Sequence, residues 1–148
     1  MTDKKILIVD DDPDIRDVVS LVLEAQGYQV STASDGLECF AKLGKEKPDL
    51  LILDLLMPKM DGFAVYKELQ NPKWSAYKDI PILILTSVRE EASKRRYELE
   101  TSQTLNVDSY LEKPISPETL VETAKNLLKQ KKYLYHMKSK GGNNEKQS

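Results

Sequence analysis

The sequence is poor in the residues that most often carry covalent or metal chemistry. It has one cysteine, Cys39, and one histidine, His136, among 148 residues. A single cysteine excludes an internal disulfide and a cysteine-based metal cluster, and Cys39 is expected to be a small buried hydrophobe. His136 lies in a polar stretch near the end of the chain, which argues against a catalytic His–Asp arrangement. The chemistry must therefore come from carboxylates, hydroxyls and lysines.

The sequence also lacks long apolar runs and a large excess of charge of one sign. No stretch approaches the roughly 18 apolar residues of a transmembrane helix, and the first residues, Met1–Lys5, are unlike a secretory signal. The net charge of −2 argues against nucleic-acid binding over the whole surface. A content of 40% hydrophobic and 31% charged residues is typical of soluble globular proteins. We expect a cytoplasmic protein with one core and with no direct contact with nucleic acid or membrane.

Short apolar runs predict the strands of a sheet. Ile6–Val9, Leu50–Leu53 and Ile82–Leu85 are each too short for a helix and too continuous for a half-exposed strand. They predict strands that are buried on both faces, as in a parallel sheet covered by helices. Polar and apolar residues alternate over Tyr28–Ala33, which is typical of an edge strand, and Ser109–Leu111 is predicted to form a short fifth strand.

Helical periodicity occupies the segments between these strands. Asp12 and Ser116 are each followed by proline, a pair that is typical of a helix N-terminus. Five helices are predicted, after Asp12, over Gly36–Lys45, after Asp61, over about Glu90–Thr104 and after Ser116. The chain thus repeats a β–α unit five times, which predicts a doubly wound α/β sheet with helices on both faces.

We expect one domain over residues 1–132 and a flexible polar tail over residues 133–148. From about Tyr133 the helical pattern fades into a run that is rich in lysine, glycine and asparagine. The pair Gly141–Gly142 is equally compatible with the start of a linker.

Polar residues that can carry chemistry stand at the ends of the predicted strands. Asp10 and Asp11 follow the first strand, Asp54 the third, Thr86 the fourth and Lys113 the fifth. The carboxyl ends of parallel strands meet at the edge of the sheet where ligands bind. Clustered carboxylates favour a divalent cation, and Mg²⁺ suits a few carboxylates with water and a phosphate. A lysine ammonium and a threonine hydroxyl across the same pocket can hold two phosphoryl oxygens. The pattern therefore predicts a phosphoryl-transfer site, without a nucleotide cradle because no glycine-rich nucleotide motif is present, in which an aspartate can itself be the acceptor.

Four linked motifs resemble the receiver domain of two-component response regulators. They are ILIVDDDPD (6–14), LILDLLMPKMDG (51–62), ILTS (84–87) and YLEKP (110–114). The resemblance runs in order from about Lys4 to Lys131. It implies a flavodoxin-like, five-stranded parallel sheet of order 2-1-3-4-5 with five helices, as in the stand-alone receivers of the chemotaxis type.

The resemblance assigns the acidic residues to phosphoryl transfer. It implies that Asp54 receives a phosphoryl group from the phosphohistidine of a sensor histidine kinase or of a histidine phosphotransfer protein. Asp10, Asp11, Asp54 and the backbone carbonyl of Leu56 are implied to hold Mg²⁺, Asp11 directly and Asp10 mainly through water. The domain is then expected to be a phosphorylation-activated switch whose changed surface binds a downstream protein effector. It would modify itself without being an enzyme that turns over a metabolite.

The resemblance also assigns the residues around the expected phosphoryl group. Thr86 and Lys113 are implied to bind the phosphate. Thr86 and Tyr110 are implied to form a switch, in which the tyrosine moves inward when the threonine moves to the phosphate. The peptide bond before Pro114 is expected to be cis, an isomer that only proline adopts at low cost.

Two other classes of function remain open on the residues alone. An aspartate-dependent phosphohydrolase would use Asp54 as its nucleophile, but such enzymes place a second acid two residues later, where this chain has Leu56. A binding module that is independent of phosphorylation would not need the complete set of acidic, hydroxyl and lysine residues. Leu56 and Val88 occupy the positions that flank the phosphoryl group in the family, and neither can orient a water molecule. We therefore expect a long-lived acyl phosphate.

Overall fold

Five parallel strands form the centre of the structure, a computed structural model that describes residues 3–87, 92, 95, 96, 98 and 107–129. The strands are β1 (Lys5–Val9), β2 (Gln29–Ala33), β3 (Leu50–Asp54), β4 (Ile82–Thr86) and β5 (Ser109–Glu112). Their order across the sheet is β2-β1-β3-β4-β5, and each neighbouring pair is parallel. The predicted doubly wound topology is confirmed.

Helices connect the strands and cover the sheet. The first three strands are followed by α1 (Pro13–Glu24), α2 (Gly36–Glu46) and α3 (Gly62–Leu69). A further helix covers residues 117–129. The helix predicted over Glu90–Thr104 falls mainly outside the described residues, of which 92, 95, 96 and 98 are helical. Val88, His136 and the predicted tail over residues 133–148 also lie outside the described residues.

Successive side chains along each strand point to opposite faces of the sheet, which produces two apolar layers. In β1, Leu7 and Val9 pack in the layer that contains α2 and α3, whereas Ile6 and Ile8 pack in the layer that contains α1 and helix 117–129. All four side chains are fully buried, as predicted for a central strand of a parallel sheet. Each such burial contributes about 1.5–3 kcal/mol relative to an exposed side chain. The central strands therefore hold the ends of the sheet, and the residues that follow them, in fixed positions.

Cys39 lies on the inner face of α2, where it is fully buried as predicted. Burial raises the pKa of its thiol to about 12, so that the thiol is protonated and unreactive at neutral pH. None of the helices in the described part of the chain has both the length and the apolar character that a membrane-spanning helix needs.

An aspartate caps each of the first three helices. A side-chain oxygen of Asp12, Asp35 and Asp61 accepts a hydrogen bond from a backbone N–H in the first turn of α1, α2 and α3, respectively. The capping role that the sequence predicts for Asp12 is confirmed. Because each cap ends the loop that follows a strand, the three caps order the loops at the carboxyl edge of the sheet.

Candidate functional site

The carboxyl edge of the sheet brings three aspartates together. One carboxylate oxygen from each of Asp10, Asp11 and Asp54 lies within 4.8 Å of the other two. The pairing of β1 with β3 explains this proximity, since Val9 stands beside Leu53 and each is followed by an aspartate. The aspartates belong to a cleft of about 470 Å³, lined by Asp10, Asp11, Asp12, Pro13, Asp54, Leu56, Ser87 and Lys113.

Several contacts hold Asp10 in place. Its backbone N–H donates to the carbonyl of Ala33 at 3.1 Å, and its Oδ1 accepts from the backbone N–H of Asp12 at 2.9 Å. Its backbone carbonyl accepts a hydrogen bond from the guanidinium group of Arg16 at 2.6 Å. These hydrogen bonds fix the backbone of Asp10, which is fully buried. Its Oδ2 lies 3.2 Å from the ammonium group of Lys113.

Lys113 places one positive charge between two of the carboxylates. Its Nζ lies 3.2 Å from Asp10 Oδ2 and 3.5 Å from Asp54 Oδ1. Its backbone N–H donates to the carbonyl of Thr86 at 2.7 Å, so the pairing of β4 with β5 brings the lysine to this edge. The side chain is only 20% exposed, which limits the screening of its charge by water. The peptide bond between Lys113 and Pro114 is cis, as the resemblance implies.

Burial dominates the electrostatics of Asp10. Loss of water raises the pKa of its carboxyl group from 3.8 to about 6. The backbone N–H of Asp12 opposes this rise, the charge of Asp54 adds to it, and Lys113 opposes it. A buried carboxylate beside a second one carries an electrostatic cost that a bound cation would remove.

The donor set fits a magnesium ion. Asp10 Oδ2 is buried and accepts no hydrogen bond of good geometry from the described residues, and the exposed Asp11 opens the cluster to solvent. Three carboxylates and one ammonium leave two negative charges, which a divalent cation balances. Mg²⁺ prefers such oxygen ligands and keeps several water molecules, for which the open cleft has room.

We predict that Asp10→Asn stabilises the metal-free protein at neutral and higher pH. Because the pKa of Asp10 is higher in the folded protein than its ordinary value of 3.8, the folded state binds the proton more tightly, which stabilises the fold at low pH. This stabilisation is lost as the pH rises through about 6 and Asp10 ionises. Because one pKa unit is worth about 1.4 kcal/mol, ionised Asp10 costs the fold about 3 kcal/mol. Asparagine avoids this cost but loses the attraction of Lys113, so we expect a gain of about 1–3 kcal/mol at pH 8, measured by urea unfolding with a chelator present.

The pH dependence and a neighbouring variant provide the controls for this prediction. The gain should shrink towards pH 5, where Asp10 of the wild type is itself largely protonated. Asp12→Asn removes a charge from an exposed capping position, at which asparagine caps as well as aspartate, and should change stability little. An equal gain in both variants would mean that overall charge, and not burial of Asp10, is responsible.

The other predicted site residues surround this cluster. Leu56 lines the cleft. Thr86 is buried and its hydroxyl donates to the carbonyl of Ser87 at 3.2 Å, so that Ser87, and not Thr86, lines the cleft. Tyr110 is partly buried against the layer that contains α2 and α3. The phosphate-binding role of Thr86 and the switch role of Thr86 and Tyr110 stay predictions.

Sequence reasoning missed Arg16. This residue lies one turn after the cap of α1 and donates back to the carbonyl of Asp10. Side chains of a helix lean towards its N-terminus, so an arginine one turn into a helix is a signal for contact with the end of the preceding strand. Arg16 and the cap together fix the loop that carries Asp10 and Asp11.

The chain is similar to a known family of domains and to several known proteins. Residues 6–125 match the response regulator receiver domain. The chain is 41% identical over 126 residues to the alkaline phosphatase synthesis transcriptional regulatory protein PhoP of Bacillus subtilis, a match that covers 85% of this chain and 49% of PhoP. It is 39% identical over 125 residues to the DNA-binding dual master transcriptional regulator RpaA of Synechocystis, covering 84% of this chain and 49% of RpaA. The chain spans about half the length of these curated relatives.

A solved structure covers nearly the same length as this domain. The chemotaxis response regulator CheY4 of Vibrio cholerae is 38% identical, with a TM-score of 0.71. The match covers 85% of this chain and 99% of the CheY4 chain. The similarity therefore covers most of this chain and nearly all of the CheY4 chain.

Proposed function

The chain belongs to the response regulator receiver family, whose members are phosphorylation-activated switches of two-component signalling, and we propose that its Asp54 is the phosphoryl acceptor in a magnesium-dependent reaction. Receiver domains take phosphoryl groups from histidine kinases and are switches rather than enzymes with a turned-over substrate. The observation that carries the proposal is the cluster of Asp10, Asp11 and Asp54 within 4.8 Å, with Lys113 beside it.

The proposed reaction forms an acyl phosphate on Asp54. A carboxylate oxygen attacks the phosphorus atom of a phosphohistidine, the P–N bond breaks, and the imidazole leaves. Asp10, Asp11, Asp54 and the carbonyl of Leu56 would hold Mg²⁺, which when bound neutralises charge on the phosphoryl oxygens. Positioning and electrostatic stabilisation supply most of the catalysis in such transfers. The fixed backbone at the end of β3 positions the acceptor for this attack.

Lys113 and Thr86 would hold the phosphoryl group after the transfer. Lys113 Nζ already lies 3.5 Å from Asp54 Oδ1. The Thr86 hydroxyl would exchange its bond to the Ser87 carbonyl for one to a phosphoryl oxygen, and Tyr110 would move inward in response. The phosphoryl group shifts the balance between two conformations only by its difference in affinity for them.

The proposed output is a changed surface that a downstream protein effector recognises. The phosphoryl donor would be a sensor histidine kinase or a histidine phosphotransfer protein in the cytoplasm. We assign this function to residues 1–132 and none to the polar stretch over residues 133–148. The curated relatives are about twice as long as the matched region. The partners of the whole protein are therefore part of what we propose here and not of what the family match shows.

Phosphorylation by a small donor tests the proposal directly. Acetyl phosphate with Mg²⁺ should add the mass of one phosphoryl group to the intact protein, and a chelator should prevent the addition. Incubation with a generic phosphomonoester should release no phosphate, because apolar Leu56 stands where a phosphohydrolase places its second acid. Steady release of phosphate from that ester would instead support the hydrolase, and no gain of mass with acetyl phosphate would contradict the proposal.

We predict that Leu56→Asn shortens the lifetime of the acyl phosphate. Leu56 lines the cleft with an apolar side chain, whereas an amide there can orient a water molecule for attack on phosphorus. Loss of label from the phosphorylated protein, followed with Mg²⁺ present, should be several-fold faster in the variant. Leu56→Met, which keeps an apolar side chain of similar size, is the matched control. A wild-type half-life of seconds would contradict the expected long lifetime.

A further inference from the structure

The loop between β3 and α3 carries the Leu56 carbonyl and is tied down at both ends. At its start, the backbone N–H of Gly62 donates to the carbonyl of Leu55 at 2.9 Å. At its other end, the backbone N–H of Gly36 donates to the carbonyl of Met60 at 2.9 Å. The first tie comes from α3, the next element of the chain, whereas the second comes from α2. The N-terminus of α2 therefore contacts the loop that holds a proposed metal ligand.

The chain reverses at Lys59 within this loop. Lys59 has a φ of 65°, and the carbonyl of Pro58 accepts a hydrogen bond from the N–H of Met60 at 2.7 Å. This three-residue γ-turn is uncommon, because residues with a side chain rarely adopt a positive φ. Such a backbone persists only where its surroundings hold it.

Asp35 holds the turn from the side of α2. Its Oδ1 caps the helix by accepting from the N–H of Glu38 at 2.9 Å, and its Oδ2 lies 3.6 Å from Lys59 Nζ. The N–H of Glu38 also holds the pKa of Asp35 below its usual value, so the carboxylate is ionised at neutral pH. The Asp35 side chain is 8% exposed and that of Lys59 is 66% exposed. An ion pair that is so open to water adds little to overall stability, but its two ends join the start of α2 to the γ-turn.

Gly36 packs the start of α2 directly against the last residue of the turn. A Cβ atom at this position would lie 2.6 Å from the Met60 carbonyl oxygen and 2.7 Å from Cγ2 of Val65. The two backbones are therefore packed as closely as glycine allows. A shift of the start of α2 would displace the turn and, with it, the preceding Leu56.

We propose that Asp35 is a positioning residue for the magnesium site, which acts through Lys59 and the γ-turn to orient the carbonyl of Leu56. This inference rests on the proposed function, since it assumes that the cleft binds Mg²⁺. Residues outside the ligand set commonly orient metal ligands, and their loss typically weakens metal binding by roughly 10-fold to 100-fold. Because Lys59 is exposed and acts on the Leu56 carbonyl only through the turn, we expect a smaller loss of metal affinity here.

The direction of the Lys59 effect separates positioning from simple charge. By Coulomb's law alone, loss of the Lys59 charge would strengthen the binding of a dication, and loss of the Asp35 charge would weaken it. Positioning by the ion pair instead predicts weaker binding in both variants. Asp35→Asn keeps an oxygen that can cap α2, and Lys59→Met keeps the long stem and the same backbone requirement. Both variants are thus expected to fold.

Calorimetric titration of the unphosphorylated full chain with Mg²⁺ tests the proposal. Asp35→Asn and Lys59→Met should each raise the Kd about twofold to fivefold, the most that an exposed ion pair can contribute, and the double variant should bind no more weakly than the weaker single variant. Lys59→Arg should bind as the wild type does, because it keeps the ion pair. Lys45→Met, at an exposed position in the last turn of α2, controls for the loss of a positive charge and should not weaken binding.

The possible results distinguish the two levels of the proposal. Unchanged or tighter binding by Lys59→Met, with a wild type that binds Mg²⁺, would overturn the positioning role of Asp35 and leave the proposed function intact. No detectable binding by the wild type would overturn the proposed magnesium site itself. Additive losses in the double variant would show that Asp35 and Lys59 act separately, which also contradicts the proposal.

Discussion

Asp54→Asn is expected to abolish phosphorylation of the protein by acetyl phosphate. Asparagine has nearly the same shape as aspartate, and Asp54 is buried at the end of β3, so the fold should tolerate the change. The amide lacks the carboxylate oxygen that must attack phosphorus to form an acyl phosphate. Intact mass after incubation with acetyl phosphate and Mg²⁺ should show one phosphoryl group on the wild type and none on the variant.

Asp11→Asn is the matched control for this experiment. It removes a carboxylate from the same cluster, but from an exposed position that is proposed to bind the metal and not to accept the phosphoryl group. Its phosphorylation should be slower at low Mg²⁺ and should recover as the Mg²⁺ concentration rises, because the acceptor is intact. Undiminished labelling of Asp54→Asn would place the acceptor elsewhere, and complete loss in Asp11→Asn at saturating Mg²⁺ would show that the two roles are not separable.

Gly62→Ala is expected to destabilise the protein by about 3 kcal/mol. Gly62 is the first residue of α3 and is buried against the end of β3. A Cβ atom there would lie 2.4 Å from the backbone oxygen of Asp54 and 2.8 Å from Cα of Leu55. Both neighbours are backbone atoms, so the clash cannot be relieved by rotation of a side chain. The midpoint of urea unfolding should fall, and the rate of phosphorylation should fall with it, because the displaced segment carries the acceptor.

Gly44→Ala is the opposite case within the same protein. Gly44 lies inside α2, it is exposed, and a Cβ atom there would have no neighbour within 4 Å. Alanine should therefore stabilise the helix by about 0.5–1 kcal/mol through its higher helix propensity, without an effect on phosphorylation. Equal changes in the two variants would show that the close approach of Gly62 to Asp54 is not what limits stability.

Much of the fold follows from patterns that are local in the sequence. The continuous apolar run of β3 predicts a strand buried on both faces, and the Asp12–Pro13 pair predicts the start of α1; both are confirmed. Once the strands are known to be parallel, Asp10 and Asp54 must share an edge. Strand ends and helix starts depend on neighbouring residues, so they can be predicted from the sequence. The proximity of the site residues then follows from the parallel arrangement of the strands.

By itself, then, the sequence determined the five strands and the helices that follow the first three of them, their order along the chain, the family and the edge of the sheet at which the aspartates meet. Only the tertiary structure decided that Asp10 is fully buried with Lys113 3.2 Å away, that Ser87 lines the cleft in place of Thr86, and that Asp35 reaches Lys59. The physical reason is range. Periodicity and capping act within a few residues, whereas a burial cost or an ion pair depends on distances between segments that are far apart in the chain, and these distances are set by how the layers pack.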